Sequence, residues 1–372
     1  MRFHVLGLSH SKTTKEYCCD AFSQKVRLIC KILTLMGHEV IHYGTAGSDP
    51  VCTENVTVLS QETFHKVHEA YDWRKSQFLI DPNCEANREF DRNAIIEINK
   101  RKRPGDFLLC SFGIQHKPIA DNVKLITVEL GIGYSNSFAP YRVFESYAWM
   151  HYTYGVEGKN LKPSMYDAVI PNYYDLEDYI FSEDKEDYFF FIARPTPLKG
   201  LEIAVRVSDE LGTKLIVAGQ GEPFIKGKYM DFVGVVSIEE RARYLSKAKA
   251  AFIPTIYIEP FGGTQVEALL AGTPIITTDF GAMPEVCIHG VTGYRCRTLE
   301  QFVFAAKNIE NIDPKVCRQF AENNYSLQRV GKMYNEYFEN LARLHSNKSG
   351  WYAANPGRVN IDWLKKDYNG IK

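Results

Sequence analysis

The chain has 372 residues, 45% of them hydrophobic and 13% aromatic, so it exceeds the size of a single core and two domains are expected. Its 44 lysine and arginine residues nearly balance 45 aspartate and glutamate residues, which argues against a general nucleic-acid surface. Any binding site for an anion must therefore be local.

The nine cysteines are an odd number and show no paired spacing typical of a metal site. Several lie in apolar stretches, where a free cysteine packs as a small hydrophobic side chain. A reducing compartment, the cytoplasm, is the simplest interpretation. The first ten residues are too broken for a secretory segment, and no apolar run approaches a membrane span, so we expect neither.

The first half of the chain predicts a parallel sheet that opens with a β-α-β unit. Residues 2–8 read as a strand, 16–36 as a helix and 39–43 as a second strand. Ligands of open α/β sheets lie beyond the carboxyl ends of the strands, so the loop at 9–14, with His10 and Lys12, is expected to face a cleft.

Three further strands and one helix follow in the first half. The strands are predicted at 55–59, 106–112 and 124–130, and the helix at 90–101. Residues 61–89 are polar and carry no predicted element. Aromatic residues are dense between 134 and 154; core packing explains most of them, and one or two remain candidates for a sugar-stacking platform.

The second half predicts a second parallel sheet with its own helices. Strands are expected at 188–193, 214–218, 229–235, 250–254 and 274–278, and helices at 201–211, 238–246, 299–309, 314–323 and 327–344. The acidic segment 183–187 is typical of a solvated junction. The predicted organisation is an N-terminal domain at 1–178, a C-terminal domain at 179–335, and a helix and tail at 336–372 that return to the first domain.

The functional interpretation depends mainly on residues 258–285. Gly262 and Gly263 precede a predicted helix, in which Thr264 is the expected N-cap and Glu267 completes a capping box. Paired glycines let backbone N–H groups approach an anion, and the helix dipole adds positive charge there. Glu259 and Glu267 can both face one cleft and bind hydroxyl groups. Taken singly, they read as a loop charge and a capping residue.

The segment also resembles a known family. Glu259, seven intervening residues and Glu267, followed by residues 268–278 and 281–285, are similar to the signature of retaining GT-B glycosyltransferases of family four, the glycosyl transferases group 1. The resemblance implies that Glu259 contacts the transferred sugar and Glu267 holds the ribose. It also implies an α/β GT-B fold, with two Rossmann-like doubly wound domains facing a cleft and C-terminal helices crossing back to the first domain.

Two cations extend the resemblance. Arg194 and Lys199 follow a predicted strand and precede a helix, and in the family this pair clamps the donor diphosphate. Two fixed cations and a helix N-terminus can offset the charge of a leaving diphosphate without a metal. We therefore expect no metal and no cofactor, with a nucleotide-diphosphate sugar as co-substrate. The resemblance adds Gly219, Val233 and Phe261 as donor contacts.

Two positions depart from the family pattern. Many members carry paired glycines in the loop at 9–14, but this chain has none, so His10 and Lys12 either contact the acceptor or belong to a solvated turn. A family histidine near the end of strand 124–130 is replaced by Glu129. This carboxylate either acts at the anomeric carbon or a hydroxyl, or is a structural ion-pair partner.

The resemblance implies a retaining glycosyltransferase, in which a nucleotide sugar donates to a glycan, glycoprotein or lipid-linked acceptor. No nucleic-acid partner and no transmembrane segment are expected. Two alternatives stay open. One is another enzyme on the same architecture, such as a nucleotide-sugar epimerase, or a sugar phosphorylase, whose pyridoxal-binding lysine context is not seen. The other is a non-catalytic nucleotide-sugar-binding protein, which the two departures allow.

Overall fold

The computed structural model describes residues 1–18, 20–68, 78, 80–159 and 164–346. The tail at 336–372 is predicted to return to the first domain, and its residues 347–372 lie outside the described residues.

The first domain is built on a seven-stranded sheet in the order β3-β2-β1-β4-β5-β6-β7, with every neighbouring pair parallel. Its strands are β1 (Arg2–Leu6), β2 (Glu39–Thr45), β3 (Glu54–Leu59), β4 (Phe107–Cys110), β5 (Ile126–Ile132), β6 (Tyr141–Phe144) and β7 (Ala168–Val169). Its helices are α1 (Ala21–Leu35), α2 (Gln61–His68), α3 (Glu85–Arg101), α4 (Lys117–Val123) and α5 (Tyr147–Val156).

The second domain has a six-stranded parallel sheet in the order β10-β9-β8-β11-β12-β13. Its strands are β8 (Glu186–Ile192), β9 (Lys214–Ala218), β10 (Met230–Gly234), β11 (Ala248–Ile253), β12 (Ile275–Thr278) and β13 (Gly293–Cys296). The helices are α6 (Leu201–Leu211), α7 (Ile238–Lys247), α8 (Gly263–Leu270), α9 (Met283–Val286), α10 (Leu299–Asn308), α11 (Pro314–Tyr325) and α12 (Leu327–His345).

The strand order of each sheet fixes where a ligand can bind. In the first sheet the order reverses between β1 and β4, and in the second between β8 and β11. The loops that leave these neighbouring strands diverge to opposite faces, and the gap between them is the usual binding crevice of open α/β sheets. The loops after β1, β4, β8 and β11 are therefore the ones that form a site.

The last helix, α12, crosses back to the first domain. Its Val330 and Tyr334 are fully buried in the same apolar cluster as Val26 and Leu33 of α1. The two crossings of the chain are paired, because the amide of Tyr174 donates to Tyr325 and the carbonyl of Tyr174 accepts from Leu327. The crossing expected from the resemblance is confirmed, whereas the boundary at residue 179 stays a prediction.

The structure differs from the predicted elements before α1 and in the aromatic stretch, and it adds α2, α4 and the first turn of α3, which were not predicted. Helix α1 begins at Ala21 instead of residue 16, because the Asp20 side chain accepts a hydrogen bond from the amide of Phe22 and caps it. The segment before it is consequently a long loop after β1. The aromatic stretch holds β6 and α5, which its weak periodicity did not reveal.

Candidate functional site

A cleft of about 690 Å³ lies between the two domains, within the size range of small-molecule sites. The first domain contributes loops after β1 and β4, including His10 and Phe112. The second contributes the loops after β8 and β11 and the start of α8. The lining residues predicted from sequence are His10, Arg194, Lys199, Gly219, Glu259, Phe261, Gly262, Gly263, Thr264 and Glu267.

Lys199 and Glu259 form an ion pair on the second-domain side of the cleft. The Lys199 ammonium lies 2.5 Å from a Glu259 carboxylate oxygen and donates to the Tyr257 hydroxyl at 2.8 Å. The two charged side chains are 18% and 12% exposed. Burial and the neighbouring Glu259 raise the pKa of Tyr257. The expected phosphate-binding cation is thus already neutralised by the expected sugar-binding carboxylate.

Glycines bring these loops together. A Cβ on Gly219 would lie 1.9 Å from the Ala193 carbonyl oxygen, and a Cβ on Gly200 would lie 2.0 Å from that of Pro254. No side chain fits at either place, so the ends of β8, β9 and β11 can approach one another only through glycine. Arg194, at the end of β8, is exposed and lines the cleft.

Helix α8 begins without the predicted capping box. Gly262 is its N-cap with a φ of 74°, and no side chain caps the helix. The Thr264 hydroxyl donates to the Ile192 carbonyl at 3.3 Å instead, so the sequence prediction of Thr264 as N-cap was wrong. Since a side chain does not occupy the first N–H groups, this helix end can accept an anion from the cleft.

Glu267 pairs with Arg241 of α7, a residue that the sequence interpretation missed. A guanidinium nitrogen of Arg241 lies 3.1 Å from a Glu267 carboxylate oxygen, and each side chain is 13% exposed. Burial opposes the charge of Arg241, but Glu267 together with Tyr179, Cys18 and Tyr174 outweighs burial and raises the pKa of Arg241 above its ordinary value. Both residues line the cleft. The charge of Arg241 gave no local signal, because its partner is distant in sequence.

In the first domain, His10 and Asp20 form a buried pair at the cleft. The Nε2 atom of His10 lies 2.9 Å from an Asp20 carboxylate oxygen, which also accepts from Ser11 and Ser23. The His10 Nδ1 atom is buried and has no hydrogen-bond partner among the residues that the structure describes. Lys12 is not among the residues lining the cleft and lies 5.1 Å from the centre of the Phe64 ring.

A second buried pair in the first domain, Lys25 with Glu145, was also missed. The Lys25 ammonium contacts the Glu145 carboxylate and donates to the Gly131 carbonyl at 3.1 Å. The other Glu145 oxygen accepts from Asn172 at 2.8 Å. Lys25, Glu145 and Asn172 line the cleft. Within the described part of the chain, these side chains pair with one another and with the Gly131 carbonyl, which is typical of a structural role.

The start of α5 touches the second domain beside Glu259. The Ser146 hydroxyl donates to the Pro260 carbonyl at 2.5 Å. The amides of Tyr147 and Ala148 donate to the Glu285 carboxylate at 3.0 and 2.8 Å. Glu285 therefore caps a helix of the other domain, a contact that sequence could not indicate.

Glu129 is not brought to the cleft. It is fully buried, does not line the cleft, and accepts hydrogen bonds from the amides of Phe138 and Ala139 and from the Tyr134 hydroxyl at 2.8 to 3.1 Å. Burial raises the pKa of Glu129 above its ordinary value. The structure thus favours a role in fixing the loop after β5, which corrects the expectation of a contact with substrate.

The donor contact expected at Val233 is also not brought to the cleft. The residues that line the cleft after β10 are Val235 and Val236, and Val233 is not one of them. Within the described ranges, no three His, Cys, Asp or Glu side chains gather as metal ligands. In the same ranges, the helices are too short or too polar to cross a membrane.

Residues 177–327 match the family model described as Glycosyl transferases group 1. The chain is 29% identical over 126 residues to a glycosyltransferase of Methanocaldococcus jannaschii, covering 30% of this chain and 32% of the relative. It is 27% identical over 186 residues to the O-antigen chain mannosyltransferase RfbU of Salmonella typhimurium, covering 46% and 50%. The chain thus spans half or less of the length of these relatives.

Solved structures agree over nearly the whole chain. The glycosyltransferase AviGT4, involved in avilamycin A biosynthesis, superposes with a TM-score of 0.66 at 15% identity, covering 92% of this chain and 98% of that one. Alr3699/HepE of Anabaena, in complex with UDP-glucose, superposes with a TM-score of 0.65 at 13% identity, covering 91% and 99%. Such distant likeness is evidence for fold alone, and it confirms the two-domain GT-B architecture.

Proposed function

Residues 177–327 form a glycosyl transferases group 1 region, and from this premise we propose that the protein transfers a sugar from a nucleotide-diphosphate sugar to a hydroxyl acceptor, with retention at the anomeric carbon. The observation that carries the proposal is the meeting of Lys199, Glu259, Glu267 and the uncapped start of α8 in one cleft.

The donor diphosphate is proposed to bind at the second domain, residues 179–335. Arg194, Lys199 and the N–H groups at the start of α8 surround the place where negative charge collects. Glu259 is proposed to accept hydrogen bonds from hydroxyls of the transferred sugar, and Glu267 from those of the ribose. Two solved structures of the GT-B neighbour HepE, which contain UDP or UDP-glucose, support this class of donor.

The acceptor is proposed to enter from the first domain, residues 1–178, against which helix α12 packs. His10, held by Asp20, is the first-domain side chain proposed to contact the acceptor. The acceptor class is a glycan, glycoprotein or lipid-linked saccharide. A reducing, cytoplasmic location stays a prediction from cysteine usage.

The proposed chemistry follows from the charges. The acceptor oxygen bonds to the anomeric carbon while the bond from that carbon to the diphosphate oxygen breaks. The acceptor proton passes to the departing phosphate, whose growing charge is offset by Arg194, Lys199 and α8. The contacts of Ser146 and Glu285 hold the two domains together around Glu259, which excludes water and disfavours hydrolysis. No step needs a metal or a cofactor.

The test combines donor binding with product formation. UDP-, GDP-, ADP- and TDP-sugars are screened by calorimetry, and products are sought by mass spectrometry with saccharide acceptors and with water alone. Lys199→Ala is compared with Lys315→Ala, which removes an exposed lysine paired with Glu183. We expect Lys199→Ala to weaken donor binding about tenfold or more, as for a lost charge-assisted contact, and Lys315→Ala to bind normally.

Four outcomes contradict the proposal, or one part of it, in different ways. Binding of no donor refutes the whole function. Donor binding without any transfer favours a non-catalytic binding protein, and interconversion of the sugar without release of free diphosphate favours an epimerase. Equal affinity of the two lysine variants removes the assignment of Lys199.

A further inference from the structure

The pair formed by Arg241 and Glu267 leads to an inference about donor recognition, and this inference rests on the proposed function. Arg241 lies in the first turn of α7, where its amide donates to the Ser237 carbonyl at 2.9 Å. The Ser237 hydroxyl and the Glu240 carboxylate cap this helix in a reciprocal box. The neighbouring Ile238, Ala242 and Leu245 are buried. Arg241 is therefore carried by a rigid element, independent of α8.

A carboxylate as buried as that of Glu267, which is 13% exposed, is a poor acceptor unless it is kept charged and still. The Arg241 guanidinium, 3.1 Å away and equally buried, meets both needs. It balances the carboxylate charge and fixes one carboxylate oxygen. A carboxylate has about four acceptor positions, so most of them stay available to a ligand in the cleft.

We propose that Arg241 is a positioning residue, which holds the Glu267 carboxylate in place to accept hydrogen bonds from the two ribose hydroxyls of the donor. The protein then discriminates ribonucleotides from 2′-deoxyribonucleotides through this pair. A fixed carboxylate rejects a ligand that lacks the hydroxyl, because its buried acceptor is left unsatisfied. Arg241 acts through Glu267 and does not itself contact the diphosphate.

The test is a thermodynamic cycle that combines changes in the protein with removal of the 2′-hydroxyl from the ligand. Dissociation constants are measured by calorimetry for UDP, ADP and GDP, each against its 2′-deoxy form, with the wild type and with Arg241→Met, Arg241→Lys, Glu267→Gln and the double variant Arg241→Met/Glu267→Gln. Melting temperatures verify folding. Methionine keeps most of the length of the arginine stem, while lysine keeps the charge but loses the planar geometry.

We expect the wild type to prefer the ribonucleotide about tenfold, equivalent to about 1.4 kcal/mol. Arg241→Met should remove most of this preference by weakening only the ribonucleotide, and Arg241→Lys should restore part of it. The double variant should behave like Glu267→Gln, because both changes disrupt the same pair of Arg241 and Glu267.

Loss of affinity by the same factor for ribo and deoxy forms would show that Arg241 contacts the phosphates or the base, and would overturn the proposal. Unchanged binding in Arg241→Met would also overturn it, while the proposed function stands. A wild type that binds none of the nucleotides overturns both the function and the inference built on it.

Discussion

Replacing Glu259 by glutamine should separate its two roles, the neutralisation of Lys199 and the proposed contact with the transferred sugar. The Glu259 carboxylate neutralises Lys199 at 2.5 Å, and Lys199 is the cation proposed to grip the diphosphate. In Glu259→Gln the lysine keeps its hydrogen bond to Tyr257 but loses its charge partner, so a nearby negative charge is gone. The variant should therefore bind a free nucleoside diphosphate more tightly than the wild type, although it transfers sugar more slowly.

The size of this effect follows from the charges. A phosphate oxygen bound to Lys199 would lie about 5 Å from the Glu259 carboxylate, where two unit charges repel by about 3 kcal/mol at an effective dielectric constant of about 20. Solvent screening and rotation of the lysine stem away from Glu259 reduce this repulsion. We expect a net gain of about 1.4 kcal/mol, or about tenfold in affinity.

Calorimetry with the nucleoside diphosphate and with the whole nucleotide sugar measures both sides of the prediction. Glu259→Gln should gain affinity for the first and lose turnover with the second. Glu310→Gln is the control, since Glu310 is exposed and paired with Lys249, and it should bind like the wild type. The gain should shrink as salt rises. Equal or weaker binding of the nucleoside diphosphate by Glu259→Gln would refute the reasoning.

Three further predictions concern stability. Burial lowers the pKa of His42 and of His116 to about 4, so the unfolded chain takes up protons first. The free energy of unfolding should fall by about 1.4 kcal/mol per histidine and pH unit from about pH 6.5 down to 4, and His116→Gln should flatten that slope; an unchanged slope contradicts it. Gly219→Ala should cost about 1–3 kcal/mol in chemical denaturation, because its Cβ meets the Ala193 carbonyl at 1.9 Å; wild-type stability would argue against the close approach. Glu129→Gln should lower the melting temperature by weakening the hydrogen bonds that hold the loop after β5, and an unchanged melting temperature would show that this loop is held otherwise.

Much of the second domain was predictable because its signals are local. Helix α6 and strand β9 have the predicted bounds, since each is a periodic apolar run closed by glycine. Arg194, Lys199, Glu259 and Glu267 all line the cleft. Each follows a strand or opens a helix at the sheet edge where the strand order reverses. The motif and its position in the sheet were therefore enough to predict that these residues line the cleft.

The first domain was less predictable because its important contacts join distant residues. Lys12 and Glu129 were candidates from their positions in the chain, yet the fold directs one to the Phe64 ring and buries the other against its own loop. Asp20, in contrast, caps α1 and also pairs with His10. A single side chain thus sets both the helix start and the cleft wall.

By itself, the sequence determined the alternation of strands and helices, the two-domain class and the glycine-flanked acidic motif, because these depend on neighbours within a few residues along the chain. Only the tertiary structure decided that Glu259 is neutralised by Lys199, that Glu267 is held by Arg241, and that Glu285 caps a helix of the other domain. These pairings are set by the strand order and by the packing of one domain on the other. Charge partners far apart in sequence become specific only when the fold brings them within a few ångströms and largely buries their side chains.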